Sequence, residues 1–235
     1  MDARKFYNDL WIEKVRNDTK TQKKRDRFHE LILDPIFNPN ANPRSEVALS
    51  LLGKGERLLD IGCWDGLFLE KIRMAGLYQE LTGIDIVESG IKLVREKGFD
   101  AKMVDLNAGV LPFPDNHFDA VTILAVIEHI FEPFSIVREI RRILKPGGIL
   151  IIDVPNVASL TNRIRILIGR IPITSNDQGW DGGHLHYFTK HALDQFLKNE
   201  GFEILVRKTT GGFPQLREWW ISLLGGEMVY LCKRR

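Results

Sequence analysis

Leu58-Leu59-Asp60-Ile61-Gly62-Cys63-Trp64-Asp65-Gly66 constrains this chain more than any other stretch. A short apolar run meets an acidic residue and a glycine-studded turn, and Leu67 to Ile72 behind it has helix-forming composition. Strand, glycine turn and helix N-terminus in that order open a nucleotide-binding βαβ unit, where backbone N–H groups and the helix dipole face a ligand. Any tight βα turn also uses glycine for its own geometry, so the turn alone leaves the ligand undecided. A second run, Leu81-Thr82-Gly83-Ile84-Asp85-Ile86, reads as a strand whose end carries Asp85. That lies about twenty residues after the turn, where a doubly wound fold places the carboxylate that accepts ribose hydroxyls. Dinucleotide sites read G-x-G-x-x-G, whereas here an aspartate leads a D-x-G turn with Asp60, Gly62 and Gly66 in phase.

This D-x-G turn resembles the first motif of the class I S-adenosylmethionine-dependent methyltransferases, in particular small-molecule enzymes with type 11/23 domains. The resemblance runs through residues 55–155. Ala101-Lys102-Met103-Val104-Asp105-Leu106 looks like the family's third strand, Leu111-Pro112-Phe113-Pro114-Asp115-Asn116-His117-Phe118-Asp119 like its passage into strand four, Ile127-Glu128-His129 like the strand-four ending, and Leu144-Lys145-Pro146-Gly147-Gly148 like the turn before strand five. It implies an α/β fold: a Rossmann-like, doubly wound, mostly parallel seven-stranded sheet with the last strand antiparallel, N-terminal helices, and a lid insertion after strand five. It also implies S-adenosylmethionine as cofactor and S-adenosylhomocysteine as product. By position, Asp60, Gly62, Cys63, Trp64 and Gly66 line the methionine end, Asp85 and Ile86 the ribose, Asp105 and Leu106 the adenine, and Leu124 the end of strand four. Trp64 replaces the family's middle glycine, so glycine dihedrals are not expected there, and its indole is expected against the cofactor or an N-terminal cap.

The 235 residues suffice for one α/β core with accessory segments, and a formal charge of +2 gives no global field for nucleic acid or anionic membrane. The basic cluster Lys20 to Arg27 reads as a solvated helix face. Cys63 and Cys232 make no disulfide framework and no zinc spacing. With neither a signal peptide nor an apolar run of about 20 residues, a cytoplasmic location without stable membrane insertion is expected. Residues 1–44 read as an N-terminal helical cap and linker, and 45–235 as the S-adenosylmethionine-binding domain, with Ser45 as N-cap of its first helix. From Arg57 onward strands and helices alternate, as in a parallel sheet covered on both faces. Residues 156–188 fit no core element and form a candidate acceptor lid; its Ile/Arg stretch suits a lid helix with snorkelling arginines.

Methyl transfer from a sulfonium is an in-line displacement, so holding the reactants in line supplies much of the catalysis. A hydroxyl nucleophile must still lose a proton, which suits a histidine. The candidates are His129 after strand four and His184 and His186 in the lid. An extended His184-Leu185-His186 projects both imidazoles to one side. That spacing suits a metal, but the sequence shows no third ligand and the segment resembles metal-independent relatives, so no metal is expected. Asp153 and Asn156 are further cleft candidates. Ala125-Val126-Ile127-Glu128 lacks the Asn/Asp-Pro-Pro motif of amine-methylating nucleic-acid enzymes, so no nucleic-acid partner is expected. The acceptor is a small molecule, a saccharide or a lipid-linked intermediate, with Trp180, Tyr187, Trp219 and Trp220 as candidate walls, although core packing explains the tandem tryptophans equally well. O-methylation is the leading reading. N- or C-methylation, a non-catalytic S-adenosylmethionine-binding protein and a nicotinamide oxidoreductase are alternatives, and the oligomeric state is not set by the sequence.

Overall fold

A computed structural model describes residues 43–174, 183–211 and 213–235. The expected N-terminal helices, the basic cluster and Trp180 lie outside the described residues. Seven strands form one sheet in the order β3-β2-β1-β4-β5-β7-β6. Strands β1 (Gly55–Ile61), β2 (Tyr78–Asp85), β3 (Asp100–Met103), β4 (Phe118–Leu124) and β5 (Leu144–Pro155) run parallel. Strand β7 (Glu227–Arg234) enters antiparallel between β5 and the edge strand β6 (Phe202–Thr209). The expected fold class is therefore observed, last strand included.

The strands alternate between two apolar layers. Leu59, Ile61, Val121, Ile123, Leu150 and Ile152 face one layer, closed by α4 (Pro133–Ile143) and α6 (Lys190–Asn199). Leu58, Ala120 and Ile151 face the other, closed by α1 (Arg44–Leu51), α2 (Leu67–Met74) and α3 (Glu88–Glu96). Each fully buried Leu or Ile stabilises the fold by roughly 1.5–3 kcal/mol. A one-residue slip would send each strand's set to the wrong layer, so the pattern fixes register.

Local expectations fared unevenly. α6 starts at the Thr189 cap, whose side chain accepts from Ala192 N–H, and Gly201 follows it at φ +81°. α1 begins two residues early, after Pro43, and Ser45 is not its N-cap; its hydroxyl accepts from Lys71 Nζ at 3.0 Å. Proline pre-sets the backbone there without a side-chain cap. Lys145-Pro146-Gly147-Gly148 lies within β5, as an irregularity where the β4–β5 register shifts.

The order reverses at β1, with β2 on one side and β4 on the other. Ligands of open α/β sheets bind outside the C-terminal strand ends at such a switch point. The motif residues sit there.

Candidate active site

Gly62 and Gly66 take left-handed φ of +75° and +79°. A Cβ on Gly62 would lie 2.3 Å from Val126 Cγ2, so the first turn passes against the end of β4 too closely for a side chain. Trp64 also takes a left-handed φ, +49°, contrary to the expectation that only glycine would use that region. Its N–H donates to Asp85 Oδ2 at 2.9 Å, which holds a conformation an L residue otherwise avoids. The residue is partly buried rather than wholly in solvent.

Asp60 is 3% exposed and its Oδ1 accepts from the Thr122 hydroxyl at 2.6 Å. Burial pushes its carboxyl up to about 7, although the Thr122 hydrogen bond pulls the other way. Asp85 Oδ1 accepts from Val87 N–H at 2.9 Å, and burial raises this carboxyl as well. Asp105 Oδ1 accepts from Asn107 N–H at 3.0 Å, capping the 3-10 turn Leu106–Ala108 that Leu106 opens. The first N–H groups of such a turn have no partner inside it and face outward. Asp85, Ile86, Asp105, Leu106 and Leu124 are all partly exposed at the ends of neighbouring strands. Cys63 differs: its side chain is in the core against α2 and β2, with burial raising the thiol, so only its backbone faces the turn.

On the other side of the switch point, Glu128 and His129 occupy a 3-10 turn, Ile127–His129, after β4. The N–H groups of Leu185 and His186 both donate to Glu128 O, at 2.8 and 3.1 Å, which pins the segment after β5 onto this turn. The two lid histidines do not project to one side as an extended strand would have them. His184 turns inward, with Nε2 3.9 Å from Glu128 Oε1, Nδ1 2.7 Å from Thr174 Oγ1, and its ring 4.7 Å from that of His129. His186 turns away, its Nε2 3.4 Å from Phe131 O. Burial pushes the Glu128 carboxyl up to about 8.

A family profile described as a methyltransferase domain matches residues 25–206. The chain belongs to the class I S-adenosylmethionine-dependent methyltransferases. The ubiquinone biosynthesis O-methyltransferase of Ruegeria pomeroyi is 30% identical over 175 residues, 72% of this chain and 68% of the relative. The ubiquinone/menaquinone biosynthesis C-methyltransferase of Azotobacter vinelandii is 35% identical over 116 residues, 46% of each chain. Among the curated relatives matched, several are spanned over only about half their length, 43% to 54%. The crystal structure of the [4+2]-cyclase SpnF superposes with a TM-score of 0.60 at 22% identity, covering 81% of this chain and 79% of that one. A cyclase on this fold shows that fold alone does not set the reaction. The cofactor of the family, S-adenosylmethionine, fits the residues present: a glycine turn with no room for a Cβ and acidic residues at the ends of β1 and β2, with Asp105 just beyond β3.

Two cleft candidates part company in this methyltransferase fold. Asn156 is structural: its Nδ2 reaches the carbonyls of Ile221 and Gly225 at 3.2 and 2.9 Å, and its Oδ1 accepts from Ala158 N–H. Asp153 is fully buried, with Arg44 Nε 3.7 Å from Oδ2, while Arg44 Nη2 pairs with Glu227 Oε1 at 2.6 Å. Burial and the Glu227 charge drive the Asp153 carboxyl well above its usual range. The sequence reading placed Glu128 in the strand-four ending without giving it a role, and did not single out Thr174, Arg44 or Glu227, which long-range packing brings to this end of the sheet. Trp219 and Trp220 are 78% and 50% exposed, so core packing does not explain them. The Ile/Arg stretch forms α5 (Leu160–Leu167) and its extension, with Ile164, Ile166, Leu167 and Ile171 half-exposed or more.

Proposed function

We propose that this chain transfers the methyl group of S-adenosylmethionine to a hydroxyl of a small-molecule acceptor. When bound, the cofactor supplies a methyl carbon already activated on a sulfonium. The chain's task is then orientation and proton handling. In this reading Asp60 and the Gly62–Gly66 turn hold the methionine end, Asp85 accepts from the ribose hydroxyls through the lone pairs its two backbone bonds leave over, and Asp105 with the Leu106 N–H meets the adenine edge. Trp64, Ile86 and Leu124 complete the walls. His129 faces the acceptor hydroxyl from the turn after β4, and His184 faces it from the segment after β5.

The observation that carries the reading is the convergence of His129, His184 and Glu128 beside the glycine turn, on the side of the switch point away from Asp85 and Asp105. Relatives named for O-methylation in ubiquinone biosynthesis support a hydroxyl. Others named for C-methylation support a second reading, an activated ring carbon. Incubating the pure protein with carbon-13 methyl-labelled cofactor and a fractionated extract tests both. The methyl chemical shift of the labelled product separates O–CH3 from C–CH3 and N–CH3, and a product methylated on carbon or nitrogen overturns the hydroxyl assignment.

A further inference from the structure

Ligand atoms of Glu128, His129 and His184 all lie within 4.8 Å of one another. Both Glu128 carboxyl oxygens are buried without a hydrogen-bond partner among the described residues, in a side chain 1% exposed. Native folds rarely leave such a group unmatched, because its desolvation is not offset. The surroundings deepen the deficit. Asp153, also buried with both oxygens unmatched among the described residues, and Glu227 share the single guanidinium of Arg44.

Both imidazoles are held by their Nδ1 atoms. His129 Nδ1 lies 3.3 Å from Gly183 O, a carbonyl that only accepts, so Nδ1 carries the proton and the neutral ring has its lone pair on Nε2. His184 Nδ1 sits against Thr174 Oγ1, which aims Nε2 toward Glu128. Outer partners of this kind fix the tautomer and orientation of metal-ligating histidines. The 3.9 Å between His184 Nε2 and Glu128 Oε1 falls within the span of two ligands each about 2.0–2.2 Å from one ion.

We propose that Glu128, His129 and His184 form a binding site for one divalent first-row transition ion of the zinc class. Two imidazoles and one carboxylate are the donor set of such ions, whereas magnesium and calcium take oxygens. The three ligands among the described residues leave coordination open, and there the acceptor oxygen binds as a further ligand. That last role rests on the methyl-transfer reading; the binding of the ion does not. His186, turned to Phe131 O, is outside the site. The sequence reading paired His184 with His186 and found no third ligand; in the fold His184 lies instead beside Glu128 and His129, which are far from it in sequence.

The test is titration of chelator-stripped full-length protein with Co2+ alone, followed by visible d–d absorption, with Zn2+ competition and S-adenosylhomocysteine calorimetry alongside. One Co2+ per chain with ligand-field bands displaced by Zn2+ is expected. Glu128→Gln and His184→Ala should each weaken binding by on the order of tenfold or more while S-adenosylhomocysteine affinity holds, and His186→Ala should leave Co2+ binding unchanged. Should either variant fail to fold, Thr174→Val, which removes only an outer partner, is expected to weaken Co2+ binding on its own. Absence of Co2+ and Zn2+ binding in protein that binds S-adenosylhomocysteine overturns the metal site and leaves the methyltransferase reading standing. Equal loss on His186→Ala also overturns it, pointing to a surface chelate.

Discussion

The backbone N–H of Trp64 donates to Asp85 Oδ2 at 2.9 Å, joining the turn after β1 to the end of β2. The left-handed conformation of Trp64 costs about 1–2 kcal/mol, and a hydrogen bond to a charged group returns about as much. Asp85 therefore shapes the turn as well as standing at the proposed ribose position, and its loss should disturb both ends of the proposed nucleoside site.

Gly62→Ala places a Cβ 2.3 Å from Val126 Cγ2 at a φ of +75°. It should lower stability by about 1–3 kcal/mol and weaken S-adenosylhomocysteine binding. Adding Val126→Ala relieves the contact but not the dihedral. Thermal unfolding of the double variant should recover part of the loss, and no recovery would show that the contact is not its cause.

Asp60 gives a pH signature. Its folded carboxyl, raised by burial to about 7 against 3.8, keeps a proton that the unfolded chain gives up. Stability should therefore fall as pH rises from about 4 to about 7 and then level off. Asp60→Asn keeps the acceptor for Thr122 and removes this loss, so it should be more stable than the parent by on the order of 4 kcal/mol above pH 7, with little difference near pH 4. Urea unfolding at several pH values measures the gap; a constant gap would remove Asp60 as its source. A cofactor ammonium beside Asp60 would favour its charged form, so parent affinity for S-adenosylhomocysteine should rise with pH up to about 7.

Asn156 should matter for stability and not for the cofactor. Asn156→Ala strips the carbonyls of Ile221 and Gly225 of their donor and should cost about 1–3 kcal/mol, a Tm drop of about 2–12 °C. Asn156→Asp points a carboxylate at the same carbonyls and should be worse. Calorimetry showing equal S-adenosylhomocysteine affinity for folded Asn156→Ala is the expected companion result.

The sheet was legible because its strands are buried on both faces, so that Leu58-Leu59 and Ile149 to Ile152 read as short continuous apolar runs alternating with helical segments, a signal that needs no knowledge of distant partners. The cofactor side was legible for a related reason: Asp60, Gly62 and Gly66 lie in one short turn whose geometry is local. Trp64 shows the limit, because its left-handed backbone depends on Asp85, 21 residues away. The acceptor side was mostly hidden. His184 and His186 look equivalent in sequence, and only the fold sets His184 against Glu128, His129 and Thr174 while His186 lies against Phe131 O. Likewise Asn156 reads as a polar cleft residue until the carbonyls of α8 (Ile221–Leu224) and Gly225 close around it.

Calorimetric titration of S-adenosylhomocysteine into cofactor-free parent and Asp85→Ala protein tests the cofactor assignment most directly. One site per chain in the parent, weakened on the order of tenfold or more by Asp85→Ala in protein that remains folded, is the expected result. No binding to the folded parent, or an unchanged affinity in Asp85→Ala, would contradict the assignment of this crevice to S-adenosylmethionine.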